Sequence, residues 1–508
     1  MIYRALFMVA FVNSEYSKRL WKFLAVGITL YIILCKTAYG YDACVTGQAY
    51  LANDLCTVGD GDKCVLWKAQ WWINTAPGTD PAWKNMGSCD GKAGGGGEPV
   101  VVAPKGPSIE EMNIIMDALV REAESKQKTT DTGVAKWLTE IQSQIPAADY
   151  TRLLDVAYYV RTLPLDVVAK IKAGKSDNPE NVKRVEKIIS ESTWNTLFPL
   201  TNNSTKEGTP EGIGIYTYEN FLKAVGAFPA FCGNYAKHPK LKGVDADQIC
   251  KKLLATTFAH FNKETSANAS AWTTRVEKQG LYYIREANCI NGMTNYCKTD
   301  YLLGAAVYPA SLQEGNAYFG RGAKQLSHPV NYATLSILLF DKPDVLLKYP
   351  DLVSTTWLAL GSAVYFASTP ISSKPAMIEV IDGNYQPNAV DQSRNFVPGF
   401  GLTTHIINGA YECIPLDKDL KTDDSGTPYW KVRANYYKYF AATLGVSGTI
   451  DENSLSCSKM KSNFDTTSAA SRPYYFAPGA CNPVQWEPVP TFIAYGGSTT
   501  LALCKATK

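Results

Sequence analysis

The 508-residue sequence is poor in net charge, in histidine and in long apolar runs, and each shortage excludes something. Its formal net charge is only +3, from 50 Lys+Arg against 47 Asp+Glu, and no basic tract rises above an ordinary solvated face. A nucleic-acid polyanion is therefore excluded as a partner. The four histidines, His238, His260, His328 and His405, are scattered, and the cysteines lack paired CxxC spacing. A metal site is rejected on that ground, and no cofactor is expected. The apolar run near the N-terminus, Phe23 to Cys35, is 13 residues long. A spanning helix needs about 20.

What is present points outward from the cell. Lys18, Arg19 and Lys22 precede that run, and Ala38-Tyr39-Gly40 offers a small-x-small cleavage site. Residues 1–40 thus read as a signal peptide, which makes the chain secreted and extracellular. A retained amphipathic anchor is the competing reading, and the long start leaves room for initiation at Met8. Of 13 cysteines, Cys35 leaves with the leader, and the remaining 12 suit disulfides of an exported protein. Cys232 with Cys250 and Cys481 with Cys504 pair by proximity alone. After signal removal no membrane association is expected, and the chain reads as a monomer. A hydrophobic content of 46% is ample for a core. The 30 tyrosines and 11 tryptophans suit sugar faces, although filling cores is the commoner use of such rings.

At about 150 residues per domain the chain has room for three or so. Residues 41–90 form a small unit with Cys44, Cys56, Cys64 and Cys89, too short to bury much core without covalent staples. It carries Trp67, Trp71, Trp72 and Trp83. Neighbours on a strand face opposite sides, so one of Trp71 and Trp72 enters the core while the other is exposed. The alternative makes all four tryptophans the core of a disulfide knot. Lys68-Ala69-Gln70-Trp71-Trp72 with the later Trp83 resembles the AKWW signature of the small chitin-binding modules of bacterial chitinases, carbohydrate-binding families 5 and 12. That resemblance implies chitin binding through Trp71, Trp72 and Trp83. Residues 91–107 hold four consecutive glycines and then a Pro-containing stretch, a linker that is first flexible and then extended. Residues 108–186 have a helical pattern. Ser108 and Glu111 make a capping box; Val134, Trp137, Leu138, Ile141 and Ile145 share one helical face, as do Tyr150, Leu153, Leu154, Ala157 and Val160. With no chemical motif, this is a helical region of unknown role, a spacer or packing domain, with a second carbohydrate or cell-surface contact as the alternative.

The stretch Lys263 to Asn331 holds the chemistry. Glu264 and Glu286 lie 22 positions apart. Two carboxyls facing across a cleft can hydrolyse a glycosidic bond, one donating a proton and the other activating water. Spacing alone does not bring them together, and most glutamates are solvated surface charges. Downstream, Gly320-Arg321-Gly322 with Gln325 and Ser327 is a tight turn carrying polar side chains at set offsets. The whole resembles the family 19 glycoside hydrolases, the plant-type chitinases, which have a glutamate in an HET motif, a second glutamate 22 residues on and a GRGPIQLS segment. Here these read Lys263-Glu264-Thr265, Glu286 and Gly320 to Ser327. VPGFGLTTHIINGAYEC (Val397 to Cys413) is close to the family's VPGFGVITNIINGGLEC, and IYTYENFLKAVGAFPAFCG is similar to its FYTYDAFVAAAAAFPGFG. The resemblance runs from about Ile188 to Cys457.

It implies a mainly α fold: a two-lobed, lysozyme-like catalytic domain over residues 187–457, beside the small disulfide-rich β module and the helical middle region. Residues 458–508 form a C-terminal extension, which wraps the domain or binds glycan. Helical stretches around Tyr218–Val225, Ile249–Phe261, Thr355–Ala367 and Trp430–Leu444 agree. Glu264 matches the family's general acid, partly desolvated by the apolar helix Leu253–Phe261 before it, and Glu286 matches the general base. Ser327 matches the hydroxyl that holds the attacking water. Asn331, Tyr332 and Asn408 fit substrate-binding positions, and Gln325, Lys374 and Arg433 fall where polar substrate contacts occur. The competing reading is turn and cap chemistry for Ser327 and the asparagines, and solvated faces for Lys374 and Arg433. The resemblance also pairs Cys289 with Cys297 and Cys413 with Cys457.

Four departures bear on subsite preference: Lys263 for the usual histidine, Ala323-Lys324 for Pro-Ile, Pro329-Val330 for Asn-Tyr, and Tyr385 for a tryptophan. The implied function is a secreted endochitinase that cleaves β-1,4 bonds between N-acetylglucosamine units of chitin or chitooligosaccharides with inversion. Two alternatives stand beside it. One is a peptidoglycan-cleaving muramidase, because phage-type relatives carry GRGLIQLTGRANY and Ser327 to Tyr332 resembles its tail. The other is a catalytically inactive chitin-binding lectin, which Lys263 keeps open.

Overall fold

The computed structural model describes residues 108–125, 158–202, 209–238, 240–286, 317–340, 344–370, 373–414, 421–423, 425–448 and 450–471, positions 147, 155 and 289, and the backbone of three strands between 55 and 88. The leader, the linker, Trp71, Trp72, the Val134–Ile145 face, Cys297, Cys481 and Cys504 lie outside the described residues, as does the side chain of Trp83. The chain divides into two compact units, Met1–Val102 and Ala103–Lys508. Among the described residues no helix is long and apolar enough to cross a membrane.

In the first unit β1 (Leu55–Val58), β2 (Val65–Ala69) and β3 (Trp83–Ser88) form an antiparallel sheet in that order. Cys56 pairs with Trp67, and Ala69 with Trp83, with a register shift between Leu66 and Trp67. The central strand ends at Ala69, two residues short of Trp71.

Apart from isolated bridges, the regular elements among the described residues of the second unit are all helices. Helix α1 (Ile109–Ser125) opens with the expected capping box: Ser108 N donates to Glu111 Oε2 at 2.7 Å, and Glu111 N donates to Ser108 Oγ at 3.2 Å. Its buried Met112 and Met116 share one core with Tyr159, Val160, Val168, Val182, Trp194, Phe221 and Phe258. The described part of residues 108–186 is therefore packed into the same core as the segment that follows it.

Two helices contribute the centre of that core. Helix α2 (Tyr218–Ala227) is capped by Thr217, which accepts from Asn220 N; α3 (Ala246–Thr265) is capped by Asp245, which accepts from Asp247 N and Gln248 N. From Leu253 to Asn262 every side chain of α3 is buried, the pattern of a helix surrounded by protein rather than laid on a surface. Trp194 stacks on Phe221 with ring centroids 4.7 Å apart and meets Phe258 edge-on at 5.8 Å. Further along lie α4 (Pro329–Phe340), α5 (Leu358–Ser368), α6 (Met377–Asp382), α7 (Phe400–Glu412) and α8 (Tyr429–Thr443). Helix α8 packs most extensively against α3. Disulfides Cys232–Cys250 and Cys413–Cys457 tie the start of α3 and the end of α7 to distant segments.

The four expected helical stretches are present, with two shifted ends. Thr356 is extended (φ −124°, ψ −175°), which separates a turn at Leu352–Thr355 from α5; its hydroxyl accepts from Leu358 N and donates to Leu352 O. At α3 the helix continues past Phe261 to Thr265, so Glu264 stands in its last turn.

A buried polar relay joins the middle region to α6. His238 Nδ1 accepts from Lys240 N and Leu241 N, which leaves the proton on Nε2, 3.1 Å from Tyr159 Oη. Tyr159 Oη in turn donates to Asp382 Oδ2 at 2.9 Å. Burial pushes the Asp382 carboxyl up to about 7, although Asn384 N and Tyr159 Oη, which bond its oxygens, pull the other way. The folded value then exceeds the unfolded one of about 3.9. The folded state holds this proton more tightly, so the associated stability is full below about pH 4 and is lost as pH rises through 7. The stability difference between wild type and Asp382→Asn should accordingly move against wild type by a few kcal/mol across that window, on the order of 1.4 kcal/mol for each pH unit separating the folded and unfolded values. Urea unfolding at pH 4.5, 6 and 8 measures it; a difference that stays flat with pH would refute the assignment.

Candidate active site

The site is built where the C-terminus of α3 meets α7 and α8. Arg433, in the first half of α8, is 1% exposed and is held by carboxylates on two other helices. Its Nε donates to Glu412 Oε2 at 2.8 Å and its Nη2 to Glu412 Oε1 at 2.7 Å, a two-point fork on the last residue of α7. The same Nη2 donates to Glu264 Oε1. Asn408 Nδ2 donates to Glu412 Oε1 at 3.0 Å from the position where α7 kinks (φ −153°, ψ 38°). Burial works to raise the Glu412 carboxyl, but Arg433, Lys263 and Asn408 outweigh it and hold it below the usual carboxylate range.

His260 completes this cluster from one turn before Glu264. Arg433 Nη1 lies 3.3 Å from its Nδ1, and because a guanidinium only donates, Nδ1 accepts and the ring proton sits on Nε2. Nε2 then donates to Thr403 Oγ1 at 3.0 Å, while the Thr403 hydroxyl donates to Phe400 O. Burial, reinforced by Arg433 and Lys324, pushes His260 well below the ordinary histidine value, so it is neutral. Lys263 sets its ammonium 4.1 Å from the Tyr429 ring centroid; burial and Arg433 lower its pKa, while Glu412 and Glu264 oppose them.

The second expected carboxyl is carried by the extended segment that follows. Thr265 O accepts from Tyr282 N and Tyr283 N at 3.2 and 3.0 Å, and Thr265 Oγ1 accepts from Leu281 N at 2.8 Å. The residue after Glu264 thereby anchors the segment leading to Glu286. Glu286 N donates to Gly320 O at 2.8 Å, and Gly322 N donates to Ile284 O at 2.7 Å. Gly322 has φ +71°, and a Cβ there would lie 2.6 Å from Ala359 O, so only glycine fits between this segment and α5. A third half-buried carboxyl, Glu211, accepts from Ile284 N at 3.4 Å; burial raises its pKa and Arg285 opposes the rise.

The turn after Gly320 gathers three of the expected polar residues. Ser327 Oγ donates to Gln325 O at 3.0 Å, Gln325 Nε2 to Gly322 O at 2.9 Å, and Asn331 Nδ2 to Ser327 O at 2.8 Å. All three are half-buried. Lys374 Nζ donates to Ile406 O at 3.3 Å, two residues before Asn408.

Two expected substrate contacts are placed elsewhere. Tyr332 is fully buried: its hydroxyl donates to Phe319 O at 2.9 Å and accepts from Arg321 Nη1 at 3.1 Å, so it anchors the turn instead of facing a ligand. Arg433 lies beneath Glu264 and Glu412, where direct contact with a sugar would require opening the ion pair. Cys289 is disulfide-bonded, and Cys413 is bonded to Cys457.

The sequence assigns no role to Glu412, His260 or Lys324. Glu412 was legible in principle, being four residues after Asn408 on one helix, and His260 stands four before Glu264. Lys324 could not be placed from sequence. Burial lowers its pKa, with Arg433 and Lys374 adding to the drop, while Glu264 and Glu412 resist it. This lysine of the glycine turn therefore feels both members of the acidic pair, and its Nζ lies 4.4 Å from the Phe366 ring centroid. Among the described residues no group of three or more His, Cys, Asp or Glu side chains could hold a metal ion.

Comparison with known proteins bears on this geometry. Residues 188–457, somewhat over half the chain, match the family model described as "Chitinase class I". The chain is 32% identical over 259 residues to "Endochitinase 1" of Solanum tuberosum, covering 50% of this chain and 70% of that protein. It is 34% identical over 254 residues to "Endochitinase 1" of Theobroma cacao, covering 49% and 67%. Among solved structures, chitinase C from Streptomyces griseus is similar at 20% identity and a TM-score of 0.35, over 82% of this chain and all of that one. A class IV chitinase from Zea mays gives 23% and 0.34, over 53% and 98%. At those TM-scores the structural similarities carry no argument.

Proposed function

Since the chain belongs to the class I chitinases of glycoside hydrolase family 19 and is thus a glycosidase acting on chitin, we propose that it is a secreted endochitinase that cleaves internal β-1,4 bonds with inversion. The observation that carries the residue assignment is the Glu264–Arg433–Glu412 cluster: a half-buried glutamate in the last turn of a helix buried from Leu253 to Asn262, held in one orientation by a guanidinium that is itself locked. Glu264 is the general acid and protonates the leaving oxygen. Glu286 is the general base and takes a proton from water on the opposite face of the sugar, with Ser327 steadying that water. Gln325, Asn331, Asn408 and Lys374 line the path of the chain. Inversion needs the two carboxyls about 6.5–9.5 Å apart, with room for the water. The two-lobed, lysozyme-like architecture belongs to this same reading.

The first product anomer tests it. Proton NMR in the first minutes of chitooligosaccharide hydrolysis should give the α-anomer before mutarotation. An initial β-anomer would mean a nucleophile or a substrate-assisted route, and Glu286 would lose its role.

The three-stranded unit is the chitin anchor in this reading, and the linker lets it hold the enzyme at an insoluble surface by raising effective concentration. Deleting residues 41–97 should weaken adsorption to crystalline chitin about tenfold or more and leave the rate on soluble oligomers nearly unchanged. Equal loss on both substrates would make the unit a support of the catalytic fold. The leader and the disulfides Cys232–Cys250 and Cys413–Cys457 support export.

A further inference from the structure

Two tyrosines stand beside the ion-pair cluster without belonging to it. Tyr411 precedes Glu412 on α7, and Tyr429 opens α8 one turn ahead of Arg433. Their rings lie 6.0 Å apart with planes inclined by only 26°, and the Lys263 ammonium sits 4.1 Å from the Tyr429 centroid. Lys263 feels the charges of Arg433, Glu412 and Glu264, which places it, and the ring it caps, beside the cluster. Residues four apart on a helix share a face with Cβ atoms about 5–6 Å apart, so Tyr429 and Arg433 lie one above the other.

Exposure separates this arrangement from core packing. Tyr411 is 47% exposed, whereas Tyr436 and Tyr437 on the same α8 are buried. A ring as exposed as that of Tyr411 gains little from folding. Their position beside the Glu264 cluster gives them a use in a polysaccharide-cleaving enzyme. Pyranose rings offer C–H faces that match aromatic faces in size and polarity, and a ring with a polar tip suits a ligand that is half apolar and half wet. The family motif INGGLEC has leucine where this chain has Tyr411, a side chain that cannot stack in this way.

We propose that Tyr411 and Tyr429, steadied by Lys263, form a stacking subsite for an N-acetylglucosamine ring of a chain lying across the Glu264 cluster. Tyr411 supplies the exposed stacking face, and Lys263 fixes the Tyr429 ring beneath it. The ligand is a neutral sugar unit away from the scissile bond, so the subsite selects for oligomer length. The inference rests on the endochitinase reading of the same cluster.

Its test uses the full-length protein with Tyr411→Ala, Tyr411→Leu and Tyr411→Trp, assayed on chitooligosaccharides from the tetramer to the hexamer, with thermal unfolding as the folding control. Alanine and leucine should raise KM for the hexamer about tenfold, with the loss in KM rather than kcat and shrinking as the oligomer shortens, and tryptophan should restore it. An unchanged KM, or an equal loss at every length, overturns the subsite while wild-type hydrolysis leaves the endochitinase reading standing. A wild-type protein that cleaves no chitooligosaccharide sinks that reading, and the subsite with it.

Discussion

Glu264→Gln is expected to lose chitin hydrolysis by about 10²–10⁴-fold or more while still adsorbing to chitin. The amide keeps the size and most of the contacts of the carboxyl but has no proton to give the leaving oxygen. Adsorption survives because it depends on surfaces that the substitution does not touch. Initial rates on colloidal chitin, set against pull-down by the same material, measure both halves. A variant that keeps half the wild-type rate would remove Glu264 from the reaction. The inactive-lectin alternative makes the opposite forecast, a wild-type protein already as slow as the variant.

Arg433→Met is expected to be the most destabilising single change at the site, by about 3–5 kcal/mol. Arg433 and Glu412 have side chains 2% and 1% exposed, so removing the cation strands a buried carboxylate. Glu264, 15% exposed, loses the partner that orients it, and activity should fall with stability. Arg433→Lys keeps the charge but cannot reproduce the fork on Glu412, so an intermediate loss is expected. The double variant Glu412→Gln with Arg433→Met, which removes both buried charges, should recover much of the stability and none of the activity. Urea denaturation of the set measures this. A double variant whose loss equals the sum of those of Arg433→Met and Glu412→Gln measured alone would show that the two residues are not coupled.

Much of this is legible in the chain alone. Thr217, Asp245 and Ser108 are helix starts because short polar side chains satisfy backbone N–H groups that a helix leaves open. The helix periods of α2, α3, α5 and α8 follow from apolar spacing, and the motifs around Glu264, Gly320 and Val397 identify the family. Those are local properties, encoded within a few residues of where they act. By contrast, Tyr332 belongs to a motif that pointed to substrate, yet it is buried against Arg321 because its hydroxyl finds a backbone oxygen 13 residues upstream. Spacing could not reveal that contact.

The sequence by itself determined the family, the helical class, the capping of α1, and the candidate acid and base. Only the tertiary structure decided that Arg433 lies beneath Glu264, that Glu412 and His260 hold it there, and that Lys263, Tyr411 and Tyr429 stack beside it. The reason is physical. Capping and periodicity are short-range and leave a signature in neighbouring residues. An ion pair between residues 264 and 433, or rings meeting from 411 and 429, depends on how helices pack, and that packing is set by the buried surface of the whole chain.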